Sequence, residues 1–119
     1  MIRIAVDAMG GDNAPEELVA GAVEAVKEKS EIKVLLIGQE DAVNRELSKY
    51  TYNKEQIEVI HASEVIATEE PPVNAVRKKK DSSLVVGMNM VRKGEADAIV
   101  SAGSTGAILV GGQVLVGRI

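Results

Sequence analysis

The segment DAIVSAGSTGAIL, residues 97–109, decides the fold class, because it leads from an apolar run through small residues into a second apolar run. We expect a buried strand that ends at Ser101, a tight turn at Gly103, and a helix that opens with its first amides uncovered. Such a helix start offers N–H donors and a positive dipole end, which suit an anion, above all a phosphate. The alternative is a plain strand-to-helix turn in which Ser104 or Thr105 is the N-cap. The segment has neither the lysine of a Walker loop nor a G-x-G-x-x-G fingerprint.

The same alternation of strand and helix patterns extends over the rest of the chain. It predicts an α/β fold with three layers, in which helices cover both faces of a mainly parallel sheet. Ligands of such folds bind at the carboxyl ends of the strands, so the glycine-rich turns at 8–13 and 101–106 are expected to face one site. The predicted strands are 2–6, 32–37, 57–60 and 98–100. The first predicted helix follows a cap at Asp12 or Asn13, and its apolar face consists of Leu18, Val19, Ala22, Val23 and Val26. The other predicted helices are 40–49, 73–93, with a break near Ser82 and a stop at Gly94, and 105–116.

The composition limits the size of the domain, the make-up of its core and the kinds of site that it can contain. The 119 residues suffice for a single α/β domain, and with no Phe, Trp or Cys the core must consist of aliphatic residues and methionine. The absence of cysteine excludes disulfides, a thiol nucleophile and thiolate metal sites, and no other spacing suggests a metal or a cofactor. We expect a cytoplasmic protein, since neither a membrane span nor a signal peptide is visible. The four short strands and the apolar end VLVGRI predict that residues 1–119 are the N-terminal part of a longer chain.

Charge is distributed unevenly along the sequence. The net charge is −4, but residues 77–119 alone carry seven Lys and Arg against three Asp and Glu. An acidic total with almost no aromatic residues argues against a nucleic-acid partner. The local basic cluster favours an anionic substrate or an acidic protein.

The first segment that can carry chemistry is VDAMGGD, residues 6–12, where two carboxylates flank a turn at a strand end. Asp7 and Asp12 are able to hold a metal, orient a base or shape a phosphate cradle. The structural alternative is that Asp7 accepts hydrogen bonds from loop amides and that Asp12 caps the following helix. Gly10 and Gly11 are predicted to supply positive φ angles.

The second segment is RKKKDSS, residues 77–83. On a continuous helix Arg77 and Lys80 share a face, whereas Lys78 and Lys79 point elsewhere and fit a solvated surface. Arginine makes bidentate contacts to phosphate and lysine makes point contacts, while Ser82 and Ser83 add neutral donors at the expected helix break. The single histidine, His61, is assigned an ordinary polar role.

In this order, the segments IRIAVDAMGGDNAP (2–15), AVRKKKDSSL (75–84), DAIVSAGSTGAIL (97–109) and VGRI (116–119) resemble the phosphate acyltransferase family of bacterial phospholipid synthesis. The resemblance spans the chain, with one departure at Ser104, where the family more often has Asn. It implies a fold similar to isocitrate and isopropylmalate dehydrogenases. It also implies that fatty acyl-[acyl carrier protein] and inorganic phosphate react to give acyl phosphate and free carrier protein. The further partners it implies are a second copy in a homodimer, a membrane surface bound peripherally, and a membrane acyltransferase that passes the acyl group to glycerol 3-phosphate.

The resemblance also implies roles for individual residues. Phosphate is itself the nucleophile, so the site must bind it, aim one oxygen at the thioester and stabilise the oxyanion, without a cofactor. Asp7 would orient a cation or assist a proton transfer, and Lys78 and Lys79 would contact the acidic carrier protein. Arg77 and Lys80, with Ser82 and Ser83, would contact phosphate or the phosphopantetheine arm. The phosphate cradle would consist of Ser101, Gly103, Ser104, Thr105 and Gly106, and Gly10 and Gly11 would also bind phosphate or substrate.

Three other functions fit parts of the pattern. A phosphotransacetylase-like enzyme would use acyl-CoA as the donor and is distinguished by donor preference. A non-catalytic module would bind phosphate or the carrier protein without turnover. A dehydrogenase on the related fold ranks lower because the sequence has no nucleotide fingerprint.

Overall fold

A computed structural model describes residues 1–66 and 71–103, so Ser104, Thr105, Gly106 and the helix predicted at 105–116 lie outside the described residues. Strands and helices alternate along the described chain, as the sequence predicts. The strands are β1 (Ile2–Asp7), β2 (Ile32–Gly38), β3 (Ile57–His61) and β4 (Ala98–Val100); the helices are α1 (Glu16–Glu28), α2 (Glu40–Leu47), α3 (Pro72–Lys78) and α4 (Ser83–Arg92), with a 3₁₀ turn at Lys54–Gln56.

The four strands form a parallel sheet in the order β3-β2-β1-β4. The chain therefore moves outward from β1 to β3 and then crosses back to place β4 on the other side of β1. This reversal is a topological switch point, where the carboxyl ends of β1 and β4 lie side by side. The register pairs Val6 with Val100, so Asp7 and Ser101 follow as neighbours.

Helices cover both faces of the sheet, which confirms the three-layer α/β class. Because side chains alternate between the faces of a strand, β2 contributes Val34 and Leu36 to one core and Leu35 and Ile37 to the other. The first core includes the buried faces of α1 and α2, whereas α4 packs on the opposite face and α3 packs beside α4. In the described part of the chain, no helix is long and apolar enough to cross a membrane.

The predicted helix at 73–93 is two helices, α3 and α4, separated by residues 79–82. The predicted break near Ser82 is confirmed, and so is the stop at Gly94, which has a φ of 78°. The prediction that Arg77 and Lys80 share a helix face is wrong, because α3 ends at Lys78 and Lys80 lies in the connecting turn.

The start of α1 also differs from the sequence prediction. Neither Asp12 nor Asn13 caps it, because α1 follows Pro15 with no side-chain cap. A turn precedes the helix, so the Asn13 carbonyl accepts from the Glu17 N–H at 3.1 Å, while the Asn13 side chain donates to the Glu17 carboxylate at 3.2 Å. At the start of α1 the Asn13 backbone carbonyl, and not a side chain, therefore accepts the hydrogen bond that a cap would accept.

Candidate functional site

The Asp7 carboxylate lies at the centre of the carboxyl edge of the sheet. Only 3 % of the surface of this acidic residue is exposed. Its Oδ1 accepts from the Ser83 hydroxyl at 2.5 Å and from the Met9 N–H at 3.1 Å, and its Oδ2 accepts from the Ser101 hydroxyl at 2.9 Å. We call Asp7, Gly10, Ser83, Ser101 and Gly103 the Asp7 junction, because these contacts join the ends of β1 and β4 to the start of α4.

The two glycine-rich turns meet at this junction, as far as the second turn is described. A Cβ atom added to Gly10 would lie 2.9 Å from the Gly103 backbone nitrogen and 2.8 Å from Asp7 Oδ2. Gly103 in turn donates its N–H to the Ser101 hydroxyl at 3.1 Å. The two turns therefore lie against each other, with Gly10 beside Gly103 and Gly11 beside Ala102.

The structure separates the roles of the two glycines in the first turn. Gly11 has a φ of 96°, which confirms the predicted left-handed conformation. Gly10 has no positive φ, so that part of the prediction is wrong. Gly10 is required instead by the close approach of the Gly103 backbone, which leaves no room for a side chain.

The two hydroxyls of the Asp7 junction, and the hydroxyl of the neighbouring Ser82, each make a hydrogen bond within the protein. A serine hydroxyl has a single hydrogen to donate, and both Ser83 and Ser101 donate it to Asp7. Ser82 is fully buried and is the N-cap of α4, where its Oγ accepts from the Val85 N–H at 3.2 Å. In this arrangement Ser83 and Ser101 do not offer a hydrogen to an anion.

The basic cluster lies next to the start of α4. Arg77 and Lys78 are exposed in the last turn of α3, and Lys80 is exposed in the following turn. Lys79 is half-buried and its Nζ donates to the Val65 carbonyl at 2.9 Å, so it is not simply part of a solvated surface. Within residues 1–66 and 71–103, no ion pair joins Asp7 to a lysine or arginine.

A pair of residues that the sequence analysis did not assign holds the turn before α4 in place. Asp81 Oδ2 accepts from the Ser63 hydroxyl at 2.5 Å and from the Ser63 N–H at 2.9 Å. Backbone bonds reinforce the contact, since Glu64 N–H donates to the Asp81 carbonyl and Ser83 N–H donates to the Glu64 carbonyl, both at 3.1 Å. No local pattern signals this pair, because its members are 18 positions apart.

The Ser63–Asp81 pair predicts a pH-dependent contact. The hydroxyl hydrogen bond from Ser63, and then the one from its backbone N–H, lower the pKa of Asp81. Since the folded-state pKa lies below the unfolded value of about 3.9, the contact stabilises the fold above that pH and is lost as the pH falls through the lower folded-state value. Replacement Ser63→Ala should raise the pKa of Asp81 back toward the ordinary value, as measured by NMR titration of its carboxyl carbon.

The control for this titration is Ser48→Ala, which removes a hydroxyl that donates to the Arg45 carbonyl and does not contact Asp81. It should leave the Asp81 titration unchanged. An Asp81 pKa that stays equally low in Ser63→Ala would show that the hydroxyl is not its cause.

His61 has the ordinary polar role that the sequence analysis assigned to it. Its Nδ1 accepts from the Glu40 N–H at 3.2 Å, at the start of α2. The imidazole therefore provides the cap that Gln39, the residue at the N-cap position, does not provide.

The fold places the chain among the open parallel α/β proteins, in which ligands commonly bind at the carboxyl ends of the strands near the switch point. Comparison with known proteins then gives the family. Residues 2–119 match the sequence model of the family described as fatty acid synthesis protein, and the chain belongs to that family.

Curated relatives are similar over almost the whole chain. A phosphate acyltransferase of Clostridium acetobutylicum is 53 % identical over 116 residues, which are 98 % of this chain and 35 % of the relative. One of Alkaliphilus oremlandii is 53 % identical over 118 residues, 99 % of this chain and 35 % of the relative. One of Syntrophomonas wolfei is 51 % identical over 117 residues, 98 % of this chain and 37 % of the relative. The chain thus spans about a third of the length of these relatives.

Proposed function

We propose that this chain supplies the phosphate-binding edge of an acyltransferase that converts acyl-[acyl carrier protein] and inorganic phosphate to acyl phosphate and free carrier protein. The observation that carries the proposal is the contact between Gly10 and Gly103 beside the buried Asp7, at the switch point of the sheet. The similarity to relatives named phosphate acyltransferase supports the reaction type. The carrier protein as acyl donor rests on the sequence resemblance and on the exposed basic cluster.

The reaction needs little from the protein beyond binding and orientation. A phosphate oxygen attacks the thioester carbonyl, the tetrahedral intermediate collapses, and the carrier thiolate leaves and takes up a proton. Arg77 and Lys80 provide positive charge for the phosphate or for the phosphopantetheine arm. Because the hydroxyls of Ser83 and Ser101 are bonded to Asp7, they position the two turns, and backbone amides provide the neutral donors.

The proposal includes the partners and the location that the resemblance implies. The enzyme acts in the cytoplasm as a homodimer and associates peripherally with the membrane. There it passes acyl phosphate to a membrane acyltransferase that acylates glycerol 3-phosphate. Lys78 contacts the acidic carrier protein, while Lys79 is partly occupied by its bond to the Val65 carbonyl.

The test is phosphate-dependent release of carrier protein from a long-chain acyl-[acyl carrier protein], measured on the natural protein that carries these 119 residues. Loss of a charged hydrogen bond in Arg77→Ala should raise the KM for phosphate or for the acyl donor by about tenfold or more. Arg92→Ala is the matched control, because Arg92 is also exposed but lies in the last turn of α4, at the opposite end of that helix from Ser83.

Each outcome decides between named functions. Turnover with acyl-CoA in preference to the acyl carrier protein would favour the phosphotransacetylase-like enzyme. Binding of phosphate and carrier protein without turnover would favour the binding module. Equal kinetics for Arg77→Ala and Arg92→Ala would remove Arg77 from the site.

A further inference from the structure

Asp81 directly follows the basic run from Arg77 to Lys80, which is proposed to bind the substrate. We infer that Asp81 is a positioning residue, whose carboxylate anchors the turn at 79–82 to the loop after β3. This anchor holds the Lys80 backbone where the ammonium group contacts an anionic group of the substrate, so the inference rests on the proposed function. A negative charge beside an anion site would by itself weaken anion binding, which gives the inference a sharp test.

The first step of the argument is what the Asp81 carboxylate binds. Its Oδ2 accepts from the Ser63 hydroxyl at 2.5 Å and from the Ser63 N–H at 2.9 Å, so its partners are neutral donors. Within residues 1–66 and 71–103, it forms no ion pair with Arg77, Lys78 or Lys80. Asp81 therefore fixes the backbone next to Lys80 without pairing with the charge of that lysine.

The second step is the place of the turn in the fold. Ser63 lies in the loop that follows β3, and Ser82 forms an isolated parallel bridge with Glu64 of the same loop. At its other end the turn leads into α4, whose first residue belongs to the Asp7 junction. The turn that carries Lys80 is thus held between β3 and the junction, and a shift of its backbone would move the Lys80 ammonium group relative to the proposed phosphate site.

The third step is that the turn keeps other bonds when the carboxylate is removed. The Glu64 N–H donates to the Asp81 backbone carbonyl at 3.1 Å, and Lys79 Nζ donates to the Val65 carbonyl at 2.9 Å. Neither bond uses the carboxylate, so we expect Asp81→Ala to fold with a turn that is held less precisely. Lys80 is exposed and has no ion pair among the described residues, so its position depends on that backbone.

The experiment measures kcat and both KM values, for phosphate and for acyl-[acyl carrier protein], on the natural protein that carries these residues. In Asp81→Ala we expect one of the two KM values to rise about threefold or more. The kcat should stay within about a factor of two, as it does when only binding common to ground and transition states is lost. Loss of the negative charge alone would instead lower KM, and a merely structural defect would reduce the amount of active enzyme and leave KM unchanged.

Further variants separate position from charge. In Asp81→Asn the amide oxygen can accept both bonds from Ser63 without a negative charge, so the KM values should equal those of the wild-type protein or fall below them. In a Lys80→Ala background, Asp81→Ala should raise KM no further, because the side chain that it positions is absent. Asp41→Ala is the matched control, since it removes an exposed carboxylate from the first turn of α2, and it should keep the wild-type kinetics.

The outcomes separate this inference from the proposed function. Unchanged or lower KM values in Asp81→Ala, or an equal rise in Asp81→Asn, would overturn the inference and leave the proposed function standing. If the wild-type protein shows no phosphate-dependent turnover, the proposed function fails and the inference fails with it. If Asp81→Ala does not fold, Ser63→Ala decides, because it removes only the hydroxyl of the same contact at an exposed position. A raised KM in Ser63→Ala that Ser63→Thr restores would support the inference, and an unchanged KM would overturn it.

Discussion

A methyl group at position 10 should disable the site, because Gly10→Ala places an atom where two turns touch. The added Cβ would lie 2.9 Å from the Gly103 nitrogen and 2.8 Å from Asp7 Oδ2, closer than nonbonded atoms pack. One of these atoms is backbone, so the conflict cannot be relieved by rotating a side chain. We expect a loss of stability of about 2 kcal/mol. Phosphate binding should weaken at least tenfold, since about 1.4 kcal/mol of displaced contact corresponds to that factor.

The matched control for this prediction is Gly21→Ala. Gly21 lies in the middle of α1, and apart from the backbone of the helix itself no atom lies within 4 Å of the position its Cβ would take. The substitution should therefore stabilise the protein by roughly 0.5–1 kcal/mol through helix propensity. Thermal unfolding of both variants, with phosphate titrations, tests the pair. A Gly10→Ala protein as stable as Gly21→Ala would show that the two turns do not meet as described.

Most of the described fold could be predicted because its signals are local. The apolar run of β2 and the helical spacing of Val19, Val23 and Val26 fix both the type and the burial of their elements. The boundaries of β4 agree with the prediction to the residue, since Asp97 and Ser101 bound its apolar run. The strand order was not predicted, because nothing local states on which side of β1 the last strand pairs.

The contacts within the candidate site were less predictable than the strands and helices, for a physical reason. Asp7 and Ser83 are 76 positions apart, and Asp7 and Ser101 are 94 apart, so their contacts depend on the order and register of the strands. The sequence indicated that Asp7, Ser83 and Ser101 are polar residues near the ends of strands or helices. It could not show that the serines donate to the aspartate, nor that Gly10 is needed for close packing instead of for its φ angle.

Removing the Asp7 carboxylate should have the other large effect, since Asp7→Ala leaves three donors without their acceptor. The hydroxyls of Ser83 and Ser101 and the N–H of Met9 all donate to it within a buried site. Each unsatisfied buried donor costs roughly 1–3 kcal/mol, although the hydroxyls can rotate, so we expect a total loss of about 3 kcal/mol. Urea unfolding measures it, with Asp12→Ala as the control on the same turn.

A double-mutant cycle separates the junction from a general loss of stability. If Ser83 and Asp7 stabilise the fold through their mutual hydrogen bond, Ser83→Ala should cost little once Asp7 is already alanine. The two substitutions together should then cost less than the sum of the single ones, by on the order of 1–2 kcal/mol. The same cycle with Ser48→Ala, in α2's C-terminal cap, should be additive. Additive costs for Asp7→Ala and Ser83→Ala would show that the start of α4 is held by its backbone bonds to Glu64 and not by the buried carboxylate.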